Sequence, residues 1–385
     1  MLKISSKIKG FSVMSAQDAA ATAPKATPEG FVHEADRRLV LRDVPKPLAA
    51  SLRWEKRPVL TGGNPSQTYA VTVPDSLSRS GNRTWWVIVG HVPNGSPQTG
   101  YPFEVFVTGE APRGLSALCK SLSMDLRSND RGWLKTKLES LAKANDVAFD
   151  YVMPDGVTYR MPSEVACFAK LVLHRCSELG VFTEEKLAST PVLDALMSKK
   201  EPKASADGTL AWNVSISHPV LGDDFELFLK EGLLSDGQRR PFSLWLSGTY
   251  PKSLDGLCKV LSYDLRVSDL AWGTRKLKQL LDVSEPQGEF MAQVPGSDKS
   301  AWYPSTVAYL ATLVLHRLHQ LGWINAQYDV PSSNVVQLSL IPGGSEAPKP
   351  TIATVQGSLC WECGAHAVIK LDGCPTCTQC SASRC

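Results

Sequence analysis

Pro102-Phe103-Glu104-Val105-Phe106-Val107 and Pro241-Phe242-Ser243-Leu244-Trp245-Leu246 are two versions of one stretch, 139 residues apart. Each is a proline-opened run of apolar, aromatic and β-branched residues, the composition of a strand. At the same separation Gly109 meets Gly248 and Pro112 meets Pro251. Leu118-Cys119-Lys120 meets Leu257-Cys258-Lys259, Asp125-Leu126-Arg127 meets Asp264-Leu265-Arg266, and Trp133 meets Trp272. Farther on, Leu171-Val172-Leu173-His174-Arg175 returns as Leu313-Val314-Leu315-His316-Arg317 at a separation of 142, so three residues entered between. Agreement at a fixed period predicts a duplicated unit.

Each copy reads as strands followed by helices. Tyr69–Val73, Trp85–Val89 and Phe103–Val107 are the strands of the first copy. Leu210–Ile216, Phe225–Leu229 and Phe242–Leu246 are those of the second. Leu115, Leu118, Cys119, Leu122 and Leu126 then recur at helical spacing, one apolar stripe turned to the sheet. Trp133, Leu138 and Leu141 mark a shorter helix. Val165, Phe168, Leu171, Val172, Cys176 and Leu179 mark a third, closed by Gly180, and its counterpart runs from after Pro304 to Gly322. Strands gathered ahead of helices predict an α+β fold with antiparallel sheets, a duplicated sheet-plus-helices unit. Cys119 and Cys258 lie on apolar stripes and read as small hydrophobes. His174 and His316 read as structural, and Asp125-Arg127 with Asp264-Arg266 as caps or bridges at helix ends, with lining a partner interface as the lesser reading. Trp85-Trp86 and Trp302-Tyr303 read as core or edge packing.

Composition bounds the rest. The chain has 385 residues, 43% of them hydrophobic, enough for one or two ordinary cores. A net charge of +3 and a pI near 8.3 give no electrostatic case for nucleic acid. No apolar run approaches the roughly 18 residues of a membrane span, and the lysine-bearing first 13 residues lack a signal core. A reducing cytoplasm fits, and Met14 is an alternative start. Residues 1–50, small, polar and proline-broken, read as a disordered leader, with Arg37 to Arg42 a patch able to dock on the body. The two copies are assigned to 51–190 and 205–328. Residues 329–356, which include the Ser-, Gly- and Pro-rich run Pro331 to Pro350, read as a flexible linker. A tail follows at 357–385.

That tail holds six of the ten cysteines: Cys360, Cys363, Cys374, Cys377, Cys380 and Cys385. Paired CxxC knuckles let two sulfurs reach one tetrahedral zinc from a tight turn. A disulfide cluster would need a secretory context that is absent here. Four thiolates saturate the ion. Cys360, Cys363, Cys374 and Cys377 are the simplest set, and a competing set takes Cys377 and Cys380 as its second knuckle and frees Cys374. His366 reads as a solvated loop residue. Cys385 is spare in both sets, and Arg384 beside it favours its thiolate, the form that exchanges with disulfides.

The run Cys360-Trp361-Glu362-Cys363-Gly364 to Gly373-Cys374-Pro375-Thr376-Cys377-Thr378-Gln379-Cys380 and Cys385 resembles the C-terminal tail of class II, adenosylcobalamin-dependent ribonucleotide reductases. Every cysteine position is kept, with Trp361 where that tail usually has proline and Ser381 where it has glycine. Arg57-Pro58-Val59-Leu60, Thr68-Tyr69 and the strand at Pro102 resemble the TSCPD region that precedes the tail, which some bacteria encode as a separate small chain. The resemblance implies an oxidoreductase component for making deoxyribonucleotides. Its barrel, radical cysteine and adenosylcobalamin would belong to a separate catalytic chain, since no stretch here is long enough for them. It further implies a zinc-anchored arm whose Cys380 and Cys385 carry electrons from a thioredoxin-like donor. The alternative is a zinc-ribbon binding module or scaffold without a redox role. Lys370 and Arg384 alone make a poor phosphate-tracking surface, which speaks against nucleic acid as its partner.

Overall fold

The computed structural model describes residues 38–39, 51–94, 96–204, 206, 208–234, 237–330, 358–359, 366–371 and 374–377. The chain divides into two units, Met1–Gln337 and Leu338–Cys385. Most of the leader, the linker, and Cys360, Cys363, Cys380 and Cys385 therefore lie outside the described residues.

The first unit is α+β with antiparallel sheets. After a two-residue strand, Arg38–Leu39 (β1), the strands Ser66–Pro74 (β2), Asn82–Asn94 (β3) and Ser96–Gly109 (β4) form a sheet in that order. Along β2, Tyr69, Val71 and Val73 are buried while their neighbours are exposed, the period-two signature of a sheet with one face on a core. Helices Leu115–Arg127 (α1) and Arg131–Leu141 (α2) follow, then a hairpin, Phe149–Val152 (β5) with Thr158–Met161 (β6), and the helix Glu164–Glu178 (α3). Two single-turn helices, Glu184–Leu187 (α4) and Pro191–Asp194 (α5), lead out.

The same succession then occurs again. Ala211–His218 (β7), Asp223–Leu234 (β8) and Arg239–Thr249 (β9) pair antiparallel. Ser253–Leu265 (α6), Leu270–Leu280 (α7), the hairpin Phe290–Gln293 (β10) with Ser300–Tyr303 (β11), and Thr306–Gln320 (α8) follow. Local detail agrees between the halves. Asp130 caps α2 through the Trp133 amide, and Asp269 caps α7 through the Ala271 amide. Ser163 caps α3 while donating to the Ala144 carbonyl; Ser305 caps α8 while donating to that of Val283. The long strands slip register at corresponding places, Gly90/His91 in β3 and Lys230/Glu231 in β8, and β3 shifts again at Pro93/Asn94. Gly180 and Gly322, both at positive φ, follow α3 and α8, as the spacing predicts. The leader touches the second half: β1 pairs parallel with β8, Arg38 opposite Leu233 and Leu39 opposite Leu234.

Helices cover one face of each sheet and enclose two cores. Val71, Trp85, Val87, Leu118, Leu122 and Phe168 belong to the first; Ile216, Leu227, Leu229, Leu257, Leu261 and Leu310 belong to the second. The cores exchange one residue each, Val260 of α6 entering the first and Ala117 of α1 the second. A third cluster, built on Met124, Trp133, Leu196, Val267 and Trp272, closes the junction. The hairpins β5–β6 and β10–β11 are additions to the sequence reading. Their four-residue strands are half exposed and carry too short an alternation to stand out. In the second unit, Ser358–Leu359 (β12), His366–Leu371 (β13) and Cys374–Cys377 (β14) pair antiparallel in that order. Among the described residues, no helix is long and apolar enough to cross a membrane.

Candidate functional site

The four cysteines of the body are structural. Cys119 and Cys258 sit on the sheet-facing sides of α1 and α6, and Cys167 and Cys176 inside α3, all buried and unpaired. Burial pushes the thiols of Cys167 and Cys176 up to about 12 and drives Cys119 and Cys258 higher still. Burial thus disfavours the thiolate of each, the form that exchange chemistry requires. His174 lies within 3.2 Å of Glu178 and edge-on to Tyr69; burial, then His319 and Arg317, lower the pKa of His316. Trp85 is fully buried, whereas Trp86 is partly exposed and Trp302, on the outer hairpin, is 68% exposed.

Asp125 and Asp264, in the last turns of α1 and α6, do not cap those helices with their side chains but bridge them to α2 and α7, the second of the two roles that the sequence suggested. Helices α1 and α6 run side by side in one direction. At their N-terminal ends the Ser253 hydroxyl donates to the Arg113 carbonyl, and near their C-terminal ends the two aspartates share two lysines. Lys137 Nζ lies 3.1 Å from Asp125 and 2.7 Å from Asp264. Lys276 Nζ lies 2.5 Å from both Asp125 oxygens and 3.2 Å from Asp264. Trp133 Nε1 donates to Asp125 at 2.8 Å and Trp272 Nε1 to Asp264 at 3.1 Å. All four charged side chains are at most 1% exposed.

The quartet is neutral in sum and unequal in detail. Burial opposes the charge of Asp125, but Lys137 and Lys276 outweigh it and hold the carboxyl below the usual carboxylate range. At Asp264, farther from Lys276, burial prevails and the carboxyl is raised. Burial brings Lys137 down to about 8, the aspartates only partly offsetting it. Burial also opposes the charge of Lys276, but Asp125 and then Asp264 overcome it and raise the pKa. The arrangement can lock the two halves in one register, since any other pairing would leave a buried charge uncompensated. The sequence carried a signal for it: Lys137 and Lys276 each sit four residues after a tryptophan, inside an apolar stripe.

In the tail, Cys374 opens β14 opposite Leu371, and Cys377 closes it opposite Val368. His366 opens β13 opposite Leu359, the residue before Cys360. Among the described residues no three His, Cys, Asp or Glu side chains converge as a metal site. The proposed ligands Cys360 and Cys363, and the proposed exchange pair Cys380 and Cys385, lie outside those residues. No protein-family model, curated protein or solved structure matches the chain.

Proposed function

We propose that this chain is the accessory component of an adenosylcobalamin-dependent ribonucleotide reductase, supplying a zinc-anchored thiol arm to a separate catalytic chain. The observation that carries the reading is the tail's cysteine spacing, two CxxC knuckles followed by two further cysteines, Cys380 and Cys385. The matched succession of sheet and helices in the body fits a duplicated TSCPD-like unit with an assembly role. The body's own thiols are buried, which leaves exchange chemistry to the tail.

Zinc would be held by four of the tail's thiolates, and bound there it would fix the fold of the arm. The pairing of β14 bears on which four. An extended strand advances about 3.3 Å per residue. The backbone positions of Cys374 and Cys377 are thus roughly 10 Å apart along the strand, wider than the tight turn from which a CxxC knuckle ordinarily serves one ion. Cys377 also sits toward the end where β12 connects to β13, the connection that bears Cys360 and Cys363. That register favours Cys360, Cys363, Cys377 and Cys380 over the set that uses Cys374. With that set, the reading takes Cys374 as the exchange partner of Cys385 in place of Cys380.

Elemental analysis of single variants tests both parts. About one zinc per chain is expected, lost in Cys380→Ser and kept in Cys374→Ser; the reverse outcome restores the other set. In a complex reconstituted with the catalytic chain, Cys385→Ser keeps its zinc but loses multiple turnover with thioredoxin, while dithiothreitol restores it. Equal thioredoxin-driven rates before and after the change reject the arm and leave a binding or scaffold role.

A further inference from the structure

A cleft of about 820 Å³ opens in the first unit between the end of α2, the start of α3 and the outer side of α6. Eight cationic side chains line it against four carboxylates. Three of those carboxylates are engaged already: Glu164 with Arg83, Glu201 with Lys230, and Asp255 with the Tyr250 hydroxyl. Lys143, Lys199, Lys200, Lys252 and Lys259, by contrast, form no ion pair among the described residues, and Lys252 rests over the Tyr250 ring. Partial burial and then the neighbouring Lys143 lower the pKa of Lys259, as expected of two like charges sharing one wall.

Backbone reinforces the side chains. The N-termini of α1, α3 and α6, helices of 13 to 15 residues, all reach the cleft, and those of α1 and α6 have no side-chain cap. The dipoles of these helices add positive potential at their N-terminal ends. The matching junction of the second half has the opposite character. There Asp223 occupies the position of Arg83 and Asp282 that of Lys143, and Arg113 is paired with Asp223 and Glu285. One junction is closed by ion pairs; the other has five lysines that form no ion pair among the described residues.

We propose that this cleft binds the polyphosphate group of a small molecule, with Lys143, Lys252 and Lys259 as its phosphate-facing cations. The volume lies within the range of organic-ligand sites and exceeds what a single phosphate would fill. Tyr250 and Tyr263 offer apolar wall for an attached organic group. The site is independent of the tail and of the reductase reading.

Calorimetric titration of the full chain with tripolyphosphate, ATP and a single-stranded oligonucleotide tests it. Tripolyphosphate and ATP are expected to bind, with affinity falling steeply as salt rises. Lys143→Gln/Lys259→Gln weakens both by about tenfold or more, while Lys135→Gln, on the exposed side of α2, changes neither by more than about twofold. ATP tighter than tripolyphosphate identifies an organic phosphate; equal affinities identify a bare polyphosphate. On the unmodified chain, bound tripolyphosphate shields Lys143 and Lys259 from acylation, read by peptide mass mapping, so the result does not depend on how a variant folds. No binding of either phosphate, equal loss in the Lys135 control, or binding of the oligonucleotide alone overturns the proposal.

Discussion

Asp125 is held by two lysines and a tryptophan, and a neutral isostere leaves both lysines short of their counter-charge. Asp125→Asn is expected to cost about 3–5 kcal/mol, the usual penalty for breaking a buried ion network from one side. The acid limb of stability gives a second readout. Because the folded carboxyl titrates below its unfolded value, its contribution is complete above the unfolded pKa. It is lost as pH falls through the depressed folded pKa. Urea titrations across that range are expected to fall off less steeply for Asp125→Asn than for the native chain. A parallel slope would remove Asp125 from the acid response. The buried thiols behave in the opposite sense. Cys119, Cys167, Cys176 and Cys258 stay unmodified by maleimide in the native chain and react only on unfolding, checked by peptide mapping. The inertness of Cys119 and Cys258 was readable, since each lay on an apolar stripe; Cys167 stood outside the stripe read for its helix. The pairing within the charge quartet was not readable, although its two lysines stand out in their stripes, because a sequence does not say which aspartate will meet which lysine across 127 or 151 residues.

Elements were legible in proportion to how strongly their pattern repeats. The stripe from Leu115 to Leu126 and the alternation Tyr69, Val71, Val73 each report one buried face, and both formed where expected. The hairpins around Gly156 and Gly296 did not announce themselves, because short half-exposed strands are held by neighbours and not by their own period. The cysteine knuckles could be counted from spacing alone, but the choice between them depends on the pairing of β14. The entry to α1 carries a sharp test of its own. Gly114 has φ +82°, and a Cβ there would stand 2.6 Å from Leu254 of the neighbouring helix α6. Gly114→Ala is expected to destabilise by roughly 1–3 kcal/mol through backbone strain and displacement of Leu254. Thermal unfolding measures it, and an unchanged midpoint would show that α1 and α6 are less tightly joined at that end.

At the scale of the molecule, the two halves share a core cluster, exchange Val260 and Ala117, and divide one ion network between them. Residues 51–330 are therefore expected to unfold in one transition, with calorimetric and van't Hoff enthalpies equal for that step. Two resolved transitions, with Asp125→Asn shifting only one, would mean that the halves are independent bodies. The internal repeat was plain in the sequence and predicted two similar halves. That they would dock through α1 and α6 was not, since the charged part of the interface, Asp125 with Lys137 and Asp264 with Lys276, follows no apolar period.

The divided quartet also has a timetable. A ribosome has finished Asp125 and Lys137 long before it reaches Lys276, and at roughly 5–20 residues per second the gap of 139 positions lasts on the order of 10 to 30 s. Throughout that interval the emerging first half offers an aspartate and a lysine arranged to accept their own likeness. Neighbouring ribosomes on one messenger present that likeness to each other. Slowing translation between positions 141 and 253 is expected to increase the share of chains recovered as dimers joined through two first halves, separable by size exclusion. Asp125→Asn removes the attraction and with it the dimers.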